Sequence, residues 1–312
     1  MRNVGRPFTE RGWRRSAGCC AAVLALVTIA AHGQDRTAQT EIVLLGTGTP
    51  APNPDAFGPA TAIVSGDRLF LVDAGVGVVR RLSAAKLSVA DLTALFITHL
   101  HSDHTLGYPD VILTSWITGR AAPLEAYGPP GLRNMTDHIL AAWSEDIDVR
   151  MHGGEGRPAT YGVDVHEVRP GVIYDRDGVR VTAFAVQHGA WKYAYGYRFD
   201  LPDRSIVLSG DTRPSDSLVA AARGCDVLIH EAHVSDGTAP PHAPGGEAWA
   251  QYMHDFHTSD VELGALAERI RPKLLIVNHT GLLGRAATDL IAGIRRGGFS
   301  GRVVIGKDLD RY

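Results

Sequence analysis

Apolar residues along this chain fall into short unbroken runs separated by Gly- and Pro-rich turns, with a few segments of helical spacing. Ile42–Leu45, Thr61–Ser65 and Leu69–Val72 read as strands, Val78–Ala85 as a short helix, and Ala94–Thr98 as a buried strand. The strand signature returns at Val179–Val186, Tyr195–Phe199, Ser205–Ser209, Val227–His230, Leu274–Val277 and Arg302–Ile305. Between the last of these lie two helices. Ser259 with Glu262 three residues on forms a capping box, after which Leu263, Leu266 and Ile270 mark one apolar face; Leu290–Ile294 is the second. Strands alternating with helices make this an α/β chain. Val234–Asp255, which holds Pro240-Pro241 and Gly245-Gly246, shows no strong periodicity and reads as a lid, a binding loop or a plain mobile surface loop.

The first thirty-three residues differ from the rest. Arg2, Arg6, Arg11, Arg14 and Arg15 precede an uncharged stretch from Ala17 to Ala31, then Ala31-His32-Gly33 and a polar segment. Its 15 residues fall short of the ~20 that span a bilayer, so 1–33 is expected to be a cleaved signal peptide and 34–312 the working domain. That implies a periplasmic or secreted protein with no stable membrane association. Cys19 and Cys20 would leave with the signal, and Cys225, in an apolar run, is expected to be a buried core thiol.

A length of 312 residues with 45% apolar and 21% charged positions suits a soluble globular enzyme. Collagen-like, disordered, coiled-coil and polytopic membrane classes are excluded. Residues 1–33 hold five arginines and one glutamate, so the remaining 26 basic and 33 acidic residues leave a charge of −7. On that basis no nucleic-acid partner is expected, because a basic footprint is what grips a phosphate backbone.

The 14 histidines carry the chemistry. His99-Leu100-His101-Ser102-Asp103-His104 places four metal-ligating side chains within six residues, where the strand Ala94–Thr98 ends. In extended chain His99 and His101 point the same way. If a helix then begins, Asp103 and His104 sit on its first turn and face a second point nearby. Imidazole and carboxylate suit Zn²⁺, Mn²⁺ or Fe, and the absence of thiolate argues against a closed structural zinc site. His188, Asp211 and His279 recur at other strand ends, as a shared site requires.

This arrangement resembles the metallo-β-lactamase superfamily, and within it the branch that holds ribonuclease Z and the metal-dependent arylsulfatases. The resemblance rests on Gly46-Thr47-Gly48-Thr49-Pro50, Val72-Asp73-Ala74-Gly75, His99–His104, Gly128-Pro129, His188, Ser209–Thr212, His230-Glu231-Ala232, His257-Thr258-Ser259 and His279. It implies an αββα four-layer sandwich with two metal ions at one sheet edge. His99, His101 and His188 would hold the first metal, Asp103, His104 and His279 the second, and Asp211 would bridge them. Asp73 would brace the metal loop. His257 would donate a proton to the leaving group, oriented by Glu231, so the expected catalytic set is Asp103, His257 and Glu231. The local order is His-Thr-Ser where ribonuclease Z typically has His-Ser-Thr. His230 is expected to be buried behind the ligands.

Two divalent cations sharing a carboxylate, most simply zinc, suit hydrolysis of phosphate or sulfate esters, lactams or lactones. Bacterial ribonuclease Z carries a long arm for tRNA between the positions of His188 and Asp211; here that interval is 23 residues, already filled by two strands and a turn. With the signal, the acidic body, and Trp191, Tyr193, Tyr195 and Tyr197 following His188, the reading favoured is an exported arylsulfatase-like hydrolase of small esters. The alternatives are a ribonuclease Z-like phosphodiesterase or endonuclease, and a β-lactamase or lactonase. A di-iron redox enzyme would need a flavin partner or thiol substrate, and no flavin-binding pattern is present. The resemblance also allows a homodimer, for which the residues themselves offer no support.

Overall fold

A computed structural model describes residues 39–239, 243 and 245–312, and the stretch 1–33 lies outside the described residues. Two sheets form the framework. The first has the order β1 (Glu41–Gly46), β2 (Ala60–Ser65), β3 (Arg68–Val72), β4 (Leu92–Phe96), β5 (Leu124–Gly128), β6 (Val163–Glu167). Its pairing is antiparallel from β1 to β3 and parallel from β3 to β6. The second contains β7 (Gly171–Arg176), β8 (Val179–Ala185), β9 (Tyr195–Asp200), β10 (Ser205–Leu208), β11 (Val227–His233), β12 (Leu274–Gly281) and β13 (Val303–Ile305), lying side by side in chain order. There β7 to β10 pair antiparallel and β10 to β13 parallel.

The side-chain alternation of each strand explains why the sequence shows unbroken apolar runs. Ile42, Leu44, Ala94, Phe96, Ile206, Leu208, Ile229 and Ile276 point into one core between the sheets. Their neighbours Val43, Leu45, Leu95 and Ile97 face a second core, against α1 (Val78–Ala84), α2 (Ser102–Thr105), α3 (Tyr108–Ile117) and α4 (Leu132–Ala142), of which α1, α3 and α4 contribute buried apolar side chains. After α5 (Ser144–Gly153) the chain enters the second sheet, whose Val207, Leu228, Leu275 and Val277 meet a third core beneath α6 (Asp216–Ala222), α8 (Asp260–Ile270) and α9 (Ala287–Arg296), with α7 (Gly246–Phe256) between α6 and α8 in sequence. Strands buried on both faces read as continuous apolar sequence rather than as alternation. The architecture is the expected αββα sandwich.

The Ser259–Glu262 capping box forms, with Ser259 Oγ accepting from Glu262 N at 3.3 Å and Glu262 Oε2 accepting from Ser259 N at 2.9 Å. The helices and strands between 105 and 178 were not among the expected elements. The structure also replaces half of the expected loop 234–255 with α7, whose Trp249, Tyr252, Met253 and Phe256 lie at helical spacing. The flanking prolines and glycines conceal that stripe. No described helix is long and apolar enough to cross a membrane.

Residues 309–312 run along the free edge of β1. Ile42 N and Tyr312 N each donate to the other residue's carbonyl at 3.0 Å, and Leu44 N donates to Asp310 O at 3.0 Å. The edge is thereby covered. Cys225 is fully buried in the third core, and burial pushes its thiol up to about 12. At pH 8 it stays protonated, so iodoacetamide is expected to label the Cys225 peptide only after denaturant is added. Rapid labelling of the native protein at Cys225 would contradict this packing.

Candidate active site

Every candidate ligand lies where a strand ends or bends. His99 and His101 follow β4, Asp103 and His104 sit in α2, His188 follows β8 and Asp211 follows β10. His279 lies inside β12, at a bulge where Glu231 pairs with Asn278 and Ala232 with Thr280, so that His279 is the extra residue; its φ is +45°. Gly210 (φ +60°) permits the turn before Asp211, because a Cβ there would fall 2.9 Å from Tyr195 O and from Thr98 Cβ.

Two groups of donors converge. His99, His101, His188 and Asp211 form one; Asp103, His104 and His279 form the other. His101 Nδ1 lies 2.9 Å from His99 Nε2 and 3.1 Å from His188 Nε2. In the second group His104 Nε2 lies 3.6 Å from Asp103 Oδ2, and His279 Nε2 is also 3.6 Å from that oxygen. Asp211 belongs to both: one oxygen is 3.3 Å from His104 Nε2, the other 3.1 Å from His279 Nε2.

A second layer of hydrogen bonds turns these rings inward. His104 Nδ1–H donates to Asp73 Oδ2 at 2.8 Å, His188 Nδ1–H to Phe256 O at 2.7 Å, and His279 Nδ1–H to Gly48 O at 2.6 Å. His99 Nδ1–H donates to Thr98 Oγ1 at 3.0 Å, and that hydroxyl donates in turn to Asp73. With Nδ1 occupied, Nε2 of each ring is the free donor atom. His101 is reversed: Nδ1 faces the site and Nε2 meets Trp191 Nε1–H at 2.7 Å. Asp73 also accepts from Thr98 N at 2.8 Å, so the expected bracing carboxylate lies beneath both groups.

Electrostatics divides the rings into two kinds. Burial and neighbouring imidazoles hold His99 well below its ordinary range, and burial with His188 takes His101 down to about 4. Burial lowers His188 as well. These rings are neutral at pH 7, with lone pairs to offer. Burial opposes charge on His104 and His279 too, but Asp211 outweighs it and raises both, while these two rings hold Asp211 well below the usual carboxylate range.

Such a donor set fits divalent cations. Five imidazoles and two carboxylates converge without a thiolate, and His104 Nε2 is a buried nitrogen with no hydrogen-bond partner, aimed at Asp211 and Asp103.

Glu231 and His257 stand beside the first group. Glu231 Oε1 accepts from His257 Nδ1 at 3.2 Å, Thr212 N at 3.2 Å and Thr258 N at 3.3 Å. Burial disfavours a charged His257, but Glu231 overrides it, helped by Asp211 and Asp103, and the ring is pushed up to about 9. His257 packs edge-on to His188, with ring centres 5.3 Å apart. His230 is fully buried and donates to Glu231 O, away from the ligands. Both Glu231 and His257 line a cleft of about 660 Å³ with His101, Asp103, Asp211 and His279.

Tyr195 and Tyr197 are not at this cleft. Both are buried between the sheets, where their hydroxyls donate to Val168 O and Ile97 O. The aromatic wall comes instead from Trp249 and Tyr252 of α7, which the sequence reading passed over. Their i, i+3 spacing, continued to Phe256, was the available signal.

Comparison with known proteins decides the family. Ribonuclease Z of Mycobacterium bovis (strain BCG / Pasteur 1173P2) is 37% identical over 276 residues, covering 87% of this chain and 97% of that protein. The chain belongs to the ribonuclease Z branch of the metallo-β-lactamase superfamily. Residues 40–280 match the family described as anti-Pycsar protein Apyc1. Among solved structures, the metallo-β-lactamase fold protein YhfI of Bacillus subtilis covers 88% of this chain and 98% of its own at TM-score 0.65 and 18% identity. Human tRNase Z, short form, covers 87% and 98% at TM-score 0.64 and 23% identity. The chain is a metal-dependent hydrolase acting on ester bonds.

Three expectations are overturned by the match to ribonuclease Z. The arylsulfatase-like reading gives way, since near full-length relatives are named for ribonuclease action. The short interval between His188 and Asp211 bears on a binding appendage and leaves the reaction centre unaltered. The expectation of no nucleic-acid partner falls with it: net charge sums the whole surface, whereas a phosphate can be met locally by cations held at the ligands. The exported, periplasmic or secreted assignment is likewise overturned. It rested on the composition of 1–33, which carries no site chemistry, and it set the chain apart from the enzymes it matches.

Proposed function

We propose that this protein is a ribonuclease Z-type phosphodiesterase that cleaves RNA with two divalent cations, most simply zinc. The observation that carries this reading is the convergence of His99, His101, His188 and Asp211 with Asp103, His104 and His279 in one cleft, in a chain 37% identical to a ribonuclease Z over 97% of that protein's length. In this reading His99, His101 and His188 would hold the first metal, Asp103, His104 and His279 the second, and Asp211 would serve both. Cations bound there supply Lewis-acid polarisation of the phosphoryl group and a water made nucleophilic near neutral pH.

The remaining work falls to the chain's own side chains. Asp73, Thr98, Gly48 O and Phe256 O fix the ring orientations before substrate arrives, so no reorganisation is needed during reaction. Glu231 holds His257 by its Nδ1–H, leaving Nε2–H as the proton to give to the departing ribose oxygen. The hydrogen bonds from Thr212 N and Thr258 N hold Glu231 in place. His257 then needs only to sit near the oxygen that leaves.

The test pairs two diesters of different leaving group. His257→Ala is expected to lower kcat on an RNA diester by about 10²-fold or more, but to cost much less on bis-p-nitrophenyl phosphate, whose phenolate leaves unassisted. Glu231→Gln should show the same split, more weakly. Equal losses on both substrates would remove the proton-donor role, and failure of the metal-loaded wild type to cleave RNA would remove the proposed function.

A further inference from the structure

Three aromatic rings of α7 form a ladder that starts at a metal-type ligand and climbs the wall of the cleft. Phe256 packs edge-on to His188, ring centres 5.1 Å apart. It rests over Gly189, where a Cβ would fall 2.0 Å from the ring, so no other residue there would leave it room. Tyr252 stacks on Phe256 at 4.6 Å and 25°, and Trp249 stacks on Tyr252 at 5.6 Å and 25°. The i, i+3, i+7 spacing puts all three on one face of the helix. The backbone fixes the foot of the ladder: Gly189 N donates to Asp255 O at 2.9 Å, and His188 Nδ1 to Phe256 O. Tyr252 remains 38% exposed, and both it and Trp249 line the cleft.

Nothing in the fold requires these outer rings. Trp249 and Tyr252 take no part in the three cores, which are built from other residues. Nor does the cleft offer another grip. Among the described residues that line it there is no lysine or arginine, and its surface is mostly apolar, with Pro50, Leu282 and Leu283 contributing. Apart from its histidines, the described lining offers no cationic side chain, so grip away from the ligands falls to flat apolar contact. Tyr252 also lies edge-on to His257 at 5.8 Å, so a group resting on the ladder is next to the leaving-group side of the site.

We infer that Trp249 and Tyr252 are substrate-binding residues that stack the nucleobase flanking the scissile phosphate. The inference rests on the proposed nucleic-acid substrate and adds how that substrate is held. Stacking on these rings accepts any base, because every base has a π-face.

Competitive inhibition separates this from the cleavage reaction itself. With metal-loaded protein hydrolysing bis-p-nitrophenyl phosphate, adenosine 5′-monophosphate and ribose 5-phosphate differ only by the base. Adenosine 5′-monophosphate is expected to inhibit about tenfold more tightly, and to quench tryptophan fluorescence, in line with base–aromatic stacking. Trp249→Ala and Tyr252→Ala should each raise its inhibition constant toward that of ribose 5-phosphate, leaving the latter unchanged, while Trp249→Phe and Tyr252→Phe retain most of the advantage. Equal inhibition by the two compounds in the wild type overturns the inference, as does a parallel loss for both in the alanine variants. An RNA-cleavage assay on the same preparation decides the proposed function separately. A protein that prefers the base but cuts no RNA would keep the ladder and lose the ribonuclease.

Discussion

Asp211→Ala is expected to abolish phosphodiester hydrolysis, by about 10³-fold or more, and to reduce bound metal below two per chain. Among the described residues this carboxylate groups with His99, His101 and His188, while one of its oxygens faces His104 and the other His279, at 3.3 and 3.1 Å. Its removal takes away the carboxylate nearest both buried imidazoles, leaving them only Asp103 at 3.6 Å, and would deprive two bound cations of a shared partner. Elemental analysis alongside the diester assay tests both consequences. Asp211→Asn should retain part of the metal, because an amide oxygen can still ligate, yet lose most of the activity. A variant that kept full activity with one metal per chain would refute the two-cation assignment.

The second large effect is expected at Asp73, which touches no substrate. It accepts from His104 Nδ1, Thr98 N and Thr98 Oγ1 while 5% exposed, and its backbone has φ +61°. Asp73→Ala strips three buried donors of their acceptor and places alanine in a left-handed conformation it tolerates poorly. Each orphaned donor costs about 1–3 kcal/mol. Metal affinity should fall about 10–100-fold with the loss of support to His104 and, through Thr98, to His99. Chelator competition measures the affinity and urea unfolding of the metal-free protein measures the stability. Asp73→Asn should recover much of the stability but little of the affinity, since an amide tolerates the backbone yet lacks the charge. Unchanged metal affinity in both variants would make Asp73 a scaffold residue only.

The legibility of the sequence followed the physics of burial. Strands such as β4, β10 and β11 are covered on both faces, so their apolar runs stood out; His99–His104 stood out because four donors crowd into six positions. His188, Asp211 and His279 were legible only through that motif and the strand ends preceding them. Of the partners that orient the rings, Asp73 was legible, but Gly48 O and Phe256 O were not, because they are backbone atoms whose role no residue type announces. The bulge that displaces His279 depends on pairing with β11, a contact made across nearly fifty residues of chain. α7 was concealed by its Pro- and Gly-rich entry, and with it the aromatic wall. The substrate class was misjudged because overall charge is a property of the surface, whereas the cleft meets its substrate through a handful of side chains.

The strip formed by residues 309–312 along β1 sets an order of events during synthesis. Arg311 reaches Glu41 across 270 positions. At roughly 5–20 residues per second, the leading strand waits on the order of ten seconds to a minute on the ribosome with one side unpaired. The delay extends to chemistry, because Asp308 fastens Thr47 and Phe57, and Gly48, whose carbonyl turns His279 inward, lies between them. A nascent chain therefore holds all seven candidate ligands before it can aim the last of them. Aiming His279 depends on Asp308, which follows every candidate ligand in the chain.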